Sequence, residues 1–204
     1  AEIQQALAKE KLPAGVTIQY LGDAKNQGEA FGSLGLALVL GILLVYLIMV
    51  ALYENALYPF VVLFSIPVAL VGAFLALALT MQPLSVFAIV GLIMLLGLVS
   101  KNGILIVDFA NHLRKEGMAL SEALVEAGKE RLRPILMTTV AMVFGMLPIA
   151  LASGDGAEVK NGMAWVIIGG LTSSLILTLF IVPVMYYIMT RLMELVGGKR
   201  FGRK

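Results

Sequence analysis

Apolar residues fill long unbroken stretches of this chain, and polar residues gather in the short segments between them. Five stretches approach the ~20 residues that an α-helix needs to cross the hydrocarbon of a bilayer. They run over 31–53, 57–80, 84–110, 134–153 and 163–189. The pattern predicts an all-α membrane protein with five transmembrane helices. Pro59 falls at the start of the second span, where a missing N–H costs little, and Pro67 falls inside it, where a bend is expected. Gly169, Gly170, Ser173 and Ser174 give the fifth span a small-residue face suited to close helix packing.

The polar segments differ in character. Residues 1–30 are mixed in charge. Ile3, Ala6 and Leu7 have helical spacing, Leu12-Pro13-Ala14-Gly15 reads as a turn, and Val16 to Tyr20 alternates like a strand. This short α/β remnant is too small to bury a core and is expected to complete a domain whose other elements lie upstream. Residues 111–133 form a connector in which Leu120, Ala123, Leu124 and Ala127 make one apolar face. Such a face suits a short amphipathic helix lying on the membrane surface. Residues 193–204 form a basic tail.

Charge then sets an orientation. The connector carries Arg114, Lys115, Lys129, Arg131 and Arg133, and the C-terminal region carries Arg191, Lys199, Arg200, Arg203 and Lys204. Two spans separate the clusters, so the positive-inside rule places both in the cytoplasm. Counting back puts the N-terminal piece outside. Five spans with a polar N-terminus outside read as the last part of a longer protein.

Composition narrows the function. Charged residues make up 14% of the chain, against about a quarter in soluble domains. Cysteine is absent and the net charge is +2. Thiolate chemistry and cysteine metal sites are excluded, and nothing suggests nucleic-acid binding. The one histidine, His112, sits in the connector without a nucleophile constellation. No phosphate-binding loop is present. Neither an enzyme nor a cofactor is implied, and the methionines, lying mostly in or beside spans, mark no metal site.

Lys101 stands out as the one basic residue within a span. An ammonium at that depth costs about 2.5–3.5 kcal/mol on insertion scales and is normally paired or faces water. Snorkelling to the interface would take about two and a half helical turns, further than the side chain reaches. Asp108 is seven residues along the same helix, about 10 Å up the axis, too far for a direct ion pair. The partner acid is therefore expected outside these five spans. Thr138 has a back-bond to its own helix as its plain role, Arg131 a positive-inside anchor, and Asn102 helix–helix adhesion.

The run Gly97-Leu98-Val99-Ser100-Lys101-Asn102-Gly103-Ile104-Leu105-Ile106-Val107-Asp108-Phe109-Ala110 resembles the tenth transmembrane helix of resistance–nodulation–division (RND) transporters. The likeness is nearest to the hydrophobe/amphiphile, acriflavine-resistance type. Arg131-Leu132-Arg133-Pro134-Ile135-Leu136-Met137-Thr138-Thr139 is similar to the start of that family's eleventh helix. Glu29 to Leu34 resembles the entry to the eighth, and Ser65-Ile66-Pro67 fits the ninth. The five spans would then be helices eight to twelve, half of the membrane domain, with residues 1–30 ending a periplasmic domain.

The resemblance implies a proton-coupled efflux antiporter of the bacterial inner membrane, exporting drugs or amphiphiles. It makes Lys101 the partner of two aspartates on the fourth helix, with Thr138 and Arg131 in the same proton relay and Asn102 and Asp108 in support. It further implies a homotrimer working with a periplasmic adaptor and an outer-membrane channel. Other branches of the family export metal ions or lipids. A truncated, non-transporting membrane module is the reading from a different class.

Overall fold

Within hydrocarbon every backbone N–H and C=O must pair inside its own segment, so charge-free apolar runs fold as helices. The structure, a computed structural model, describes residues 23–53, 57–154 and 156–197, and it is helical in all five expected spans. The first run lies within α1, Asp23–Tyr53. The second folds as two pieces, α2 (Leu57–Leu63) and α3 (Ser65–Leu79). The interruption at Phe64 has a local cause. Pro67 brings no N–H to the carbonyl of Leu63, and its ring crowds that carbonyl. Beside it, Ser65 Oγ donates to the Val62 carbonyl at 2.6 Å.

The third run is α4, Val86–Lys115. Ser85 caps its start by accepting from the Ala88 N–H at 3.2 Å. Its end is a Schellman motif. The Met118 N–H bonds the Leu113 carbonyl, the Gly117 N–H bonds the Arg114 carbonyl, and Gly117 has φ +98°. Glycine at that position takes the left-handed turn without a Cβ clash.

The connector expected over 111–133 is not a separate element. Residues 111–115 finish α4, and residues 120–133 begin α5, Leu120–Ala150, which runs unbroken through Pro134. The apolar face of the amphipathic segment meets protein. Ala123, Leu124 and Ala127 are buried against a cluster that includes Ala110, Val182 and Tyr186. An apolar stripe is satisfied by protein as readily as by lipid, and here neighbouring helices supply the partner. The last helix, α6, is Ala157–Gly197 and follows a turn with Gly154 and Gly156 at positive φ. Of the N-terminal α/β remnant expected over 1–30, residues 1–22 lie outside the described residues and 23–30 form the start of α1; of the basic tail expected over 193–204, residues 193–197 belong to α6 and the rest lie outside the described residues.

Helix α6 is the centre of the bundle and packs on α3, α4 and α5, while α4 also packs on α1, α3 and α5. By contrast, 56% of the most apolar stretch of α4 is buried, but only 6% of that of α1. The small-residue face of α6 meets α3 closely. A methyl group on Gly72 would overlap the Ser173 side chain and approach the Gly169 carbonyl oxygen to 2.7 Å. One on Gly169 would overlap Ala76, and one on Gly170 would overlap Leu95. Ser173 Oγ donates across this crossing to the Val68 carbonyl at 3.1 Å. Small residues permit the approach, and the hydroxyl adds a bond between helices.

Candidate functional site around Lys101

The middle of α4 presents two faces. Val99, Ser100, Asn102, Gly103, Ile106 and Val107 turn inward and are buried. Lys101 and Asp108, seven residues apart, share the outward side and are exposed. Lys101 lines an open groove of about 240 Å³ between α4 and α1, together with Val45, Ile48, Met49, Gly97 and Ile104. The walls are almost wholly apolar. Among the described residues Lys101 has no ion pair and Asp108 has none. The ammonium thus sits in mid-span on a flank of the bundle, against a groove that offers it no counter-charge.

The structure brings one of the expected relay residues to α4. The Arg131 guanidinium lies 4.6 Å over the centroid of the Phe109 ring, next in sequence to Asp108. This cation–π contact ties the start of α5 to the end of α4. Arg131 Nε is buried and has no hydrogen-bond partner among the described residues. Thr138 is not brought to Lys101. It is exposed, and its hydroxyl bonds the carbonyls of Pro134 and Ile135, each at 3.1 Å. That is the back-bond a helical threonine makes by default. Asn102 is buried, and its amide Nδ2 also has no partner among the described residues. His112 is exposed beside Glu116, 3.3 Å from its carboxylate.

One polar cluster escaped the sequence reading. At the end of the bundle that carries Arg114 and Arg131, the buried Tyr186 of α6 donates to Asn111 Oδ1 and accepts from Arg114 Nη1 at 3.2 Å. Its ring stacks on Tyr58, and Tyr58 meets Tyr53 edge-on. Tyr53 donates to the Ile104 carbonyl at 3.2 Å. Tyrosines near span ends were the available signal, but their partners sit on other helices.

Comparison with known proteins shows the family. The model of the AcrB/AcrD/AcrF family matches residues 1–190. The chain belongs to that family. Its AcrB/AcrD/AcrF relatives include the swarming motility protein SwrC of Bacillus subtilis, 40% identical over 94% of this chain and 18% of SwrC. They also include the multidrug resistance protein MdtC of Erwinia tasmaniensis, 41% identical over 94% of this chain and 19% of MdtC. Among solved structures, a heavy metal efflux pump superposes with a TM-score of 0.80 at 31% identity, covering 92% of this chain and 19% of the pump. The chain therefore spans about a fifth of the length of these relatives. Membership bears out the resemblance to RND efflux transporters drawn from residues 97–110 and 131–139.

Proposed function

We propose that this chain acts as the lysine-bearing half of the membrane domain of a proton-driven efflux transporter. In this reading Lys101 pairs with acidic groups on a fourth helix that is not among these five. The observation that carries it is the position of Lys101. It is in mid-span, exposed on the flank of α4 and without a counter-ion among the described residues. A charge in hydrocarbon demands a partner or water, and the open flank is where a further helix would bring one. A carboxylate beside an ammonium favours its charged form. Protonating it releases the pair, and a charge change becomes a helix shift.

The same reading assigns Arg131 to the cytosolic side of the proton path and Thr138 to the relay, with Asn102 and Asp108 in support. The end that carries Arg114 and Arg131 faces the cytoplasm of a bacterial inner membrane, and the N-terminal piece faces the periplasm. The working assembly is a homotrimer joined to a periplasmic adaptor and an outer-membrane channel. The cargo is a drug or amphiphile. The likeness to a heavy metal efflux pump supports a second reading in which the cargo is a metal ion.

The experiment is Lys101→Ala in the intact transporter. Export is expected to stop while expression and assembly persist. Cells carrying the variant would accumulate a fluorescent amphiphile to the level of cells without the transporter. Normal export would remove the relay assignment. Growth of the unaltered strain on amphiphilic drugs and on metal salts separates the two cargo readings.

A further inference from the structure

Two apolar clusters divide the bundle along its length. The first includes Ile106 of α4, Ile135 of α5 and Val182 of α6. The second includes Val99 of α4 and Leu171 of α6, with Met142 of α5 packed against it. Polar side chains fall between them on all three helices. Asn102 lies between Val99 and Ile106, Thr139 between Ile135 and Met142, and Ser174 and Thr178 between Leu171 and Val182. None is more than 3% exposed. Helices α4, α5 and α6 pack against one another in every pairing, and the contacts Gly170–Leu95, Tyr186–Asn111 and Arg131–Phe109 put the four residues at a similar depth in the bundle.

Each of the four carries a buried polar atom without a hydrogen-bond partner among the described residues. These are Asn102 Nδ2, Thr139 Oγ1, Ser174 Oγ and Thr178 Oγ1. The hydroxyls are unusual for this chain. Ser65, Thr80, Ser100, Thr138, Thr172 and Thr190 all donate to a carbonyl three or four residues back in their own chain. That default bond is open to any helical serine or threonine. Thr139, Ser174 and Thr178 do not make it. Their hydroxyl groups are buried without a partner among the described residues, and an unpaired buried polar atom is costly.

We infer that Asn102, Thr139, Ser174 and Thr178 form an internal hydration site that binds water between the two apolar clusters. Water fits the chemistry of the set. A hydroxyl both donates and accepts, an amide N–H donates, and a buried water typically makes about three hydrogen bonds to such groups. The set holds no carboxylate, and an amide N–H repels a metal cation. The site also has a mechanical consequence. Helices joined through water can slide by exchanging water partners, whereas interlocked apolar side chains cannot. The layer sits beside Lys101 in sequence but does not rest on the efflux reading, because burial and bonding alone define it.

The test uses the intact transporter that contains this chain, in lipid nanodiscs. At a resolution that reveals ordered water, density is expected within hydrogen-bonding distance of at least two of the four atoms. The near-isosteric variants Ser174→Ala and Thr178→Val are expected to lose that density with their neighbours unmoved. Their melting temperatures should fall below that of the unaltered protein. A dry layer predicts the opposite sign, since each variant would only delete an unpaired hydroxyl and raise the melting temperature. Absence of water density in the unaltered protein, or a raised melting temperature in both variants, overturns the inference.

Discussion

The hydroxyl of Tyr186 donates to Asn111 Oδ1 at 2.5 Å, joining α6 to α4 between residues 75 positions apart in the chain. The Tyr186 ring is fully buried and stacks on Tyr58, with centroids 5.3 Å apart and planes 4° from parallel. Tyr186→Phe keeps the stack and removes the bond. Asn111, which is half-buried, would lose that partner, and the net worth of such a hydrogen bond is about 0.5–1.5 kcal/mol. Unfolding in detergent should show a loss in that range, with Asn111→Ala in the Tyr186→Phe background costing little more. Independent, additive losses would mean that the two side chains are not coupled.

The crossing of α3 and α6 predicts opposite signs for two glycine substitutions. Gly41 faces open space on α1, and Gly41→Ala should be neutral or stabilising, because alanine loses less chain entropy in a helix by about 0.5–1 kcal/mol. Gly72→Ala places a methyl group inside the Ser173 contact. Forcing atoms into a close-packed interface costs about 1–3 kcal/mol. Thermal unfolding of the two variants side by side measures this. Equal behaviour would show that the helices separate easily there.

The Arg131–Phe109 contact predicts that charge alone is not sufficient at position 131. Arg131→Lys keeps the charge but loses the planar guanidinium that stacks on the ring. Cation–π contacts contribute about 0.5–2 kcal/mol depending on desolvation. Arg131→Lys and Phe109→Leu should each lower stability within that range. The double variant should cost less than their sum. A strictly additive double variant would remove the contact as a source of stability.

Pro134 predicts a gain. It lies inside α5, is exposed, and brings no N–H to the carbonyl of Glu130. Pro134→Ala restores that bond and leaves no cavity behind. Interior proline costs a helix about 3 kcal/mol, so the variant should be more stable to denaturant. Loss of stability would mean that the ring itself packs against something the exposed position does not suggest.

Much of the architecture was legible from single segments. Apolar runs near the length of a bilayer core point to five spans, because a solvent without hydrogen bonds forces the backbone to pair with itself. Pro67 marked the weak point of the second span, and Gly169 with Ser173 marked a close crossing. Those signals are local, set by one residue's own geometry. The connector shows the limit of such local signals. An apolar stripe over Leu120, Ala123, Leu124 and Ala127 specifies burial but not the partner, and helix and membrane surface satisfy it equally well.

The residues taken alone dictate that the chain is helical, that the second span is weakened at Pro67, and that Lys101 is a costly charge in the middle of a span. The tertiary structure decided which side of each helix meets protein. It turned Lys101 toward the groove by α1, left Thr138 bonded to its own helix, laid Arg131 over Phe109, and joined Tyr186 to Asn111. The physical reason is that periodicity fixes a face relative to its own axis. How two axes rotate and cross is fixed only when side chains far apart in the chain compete for the same contact.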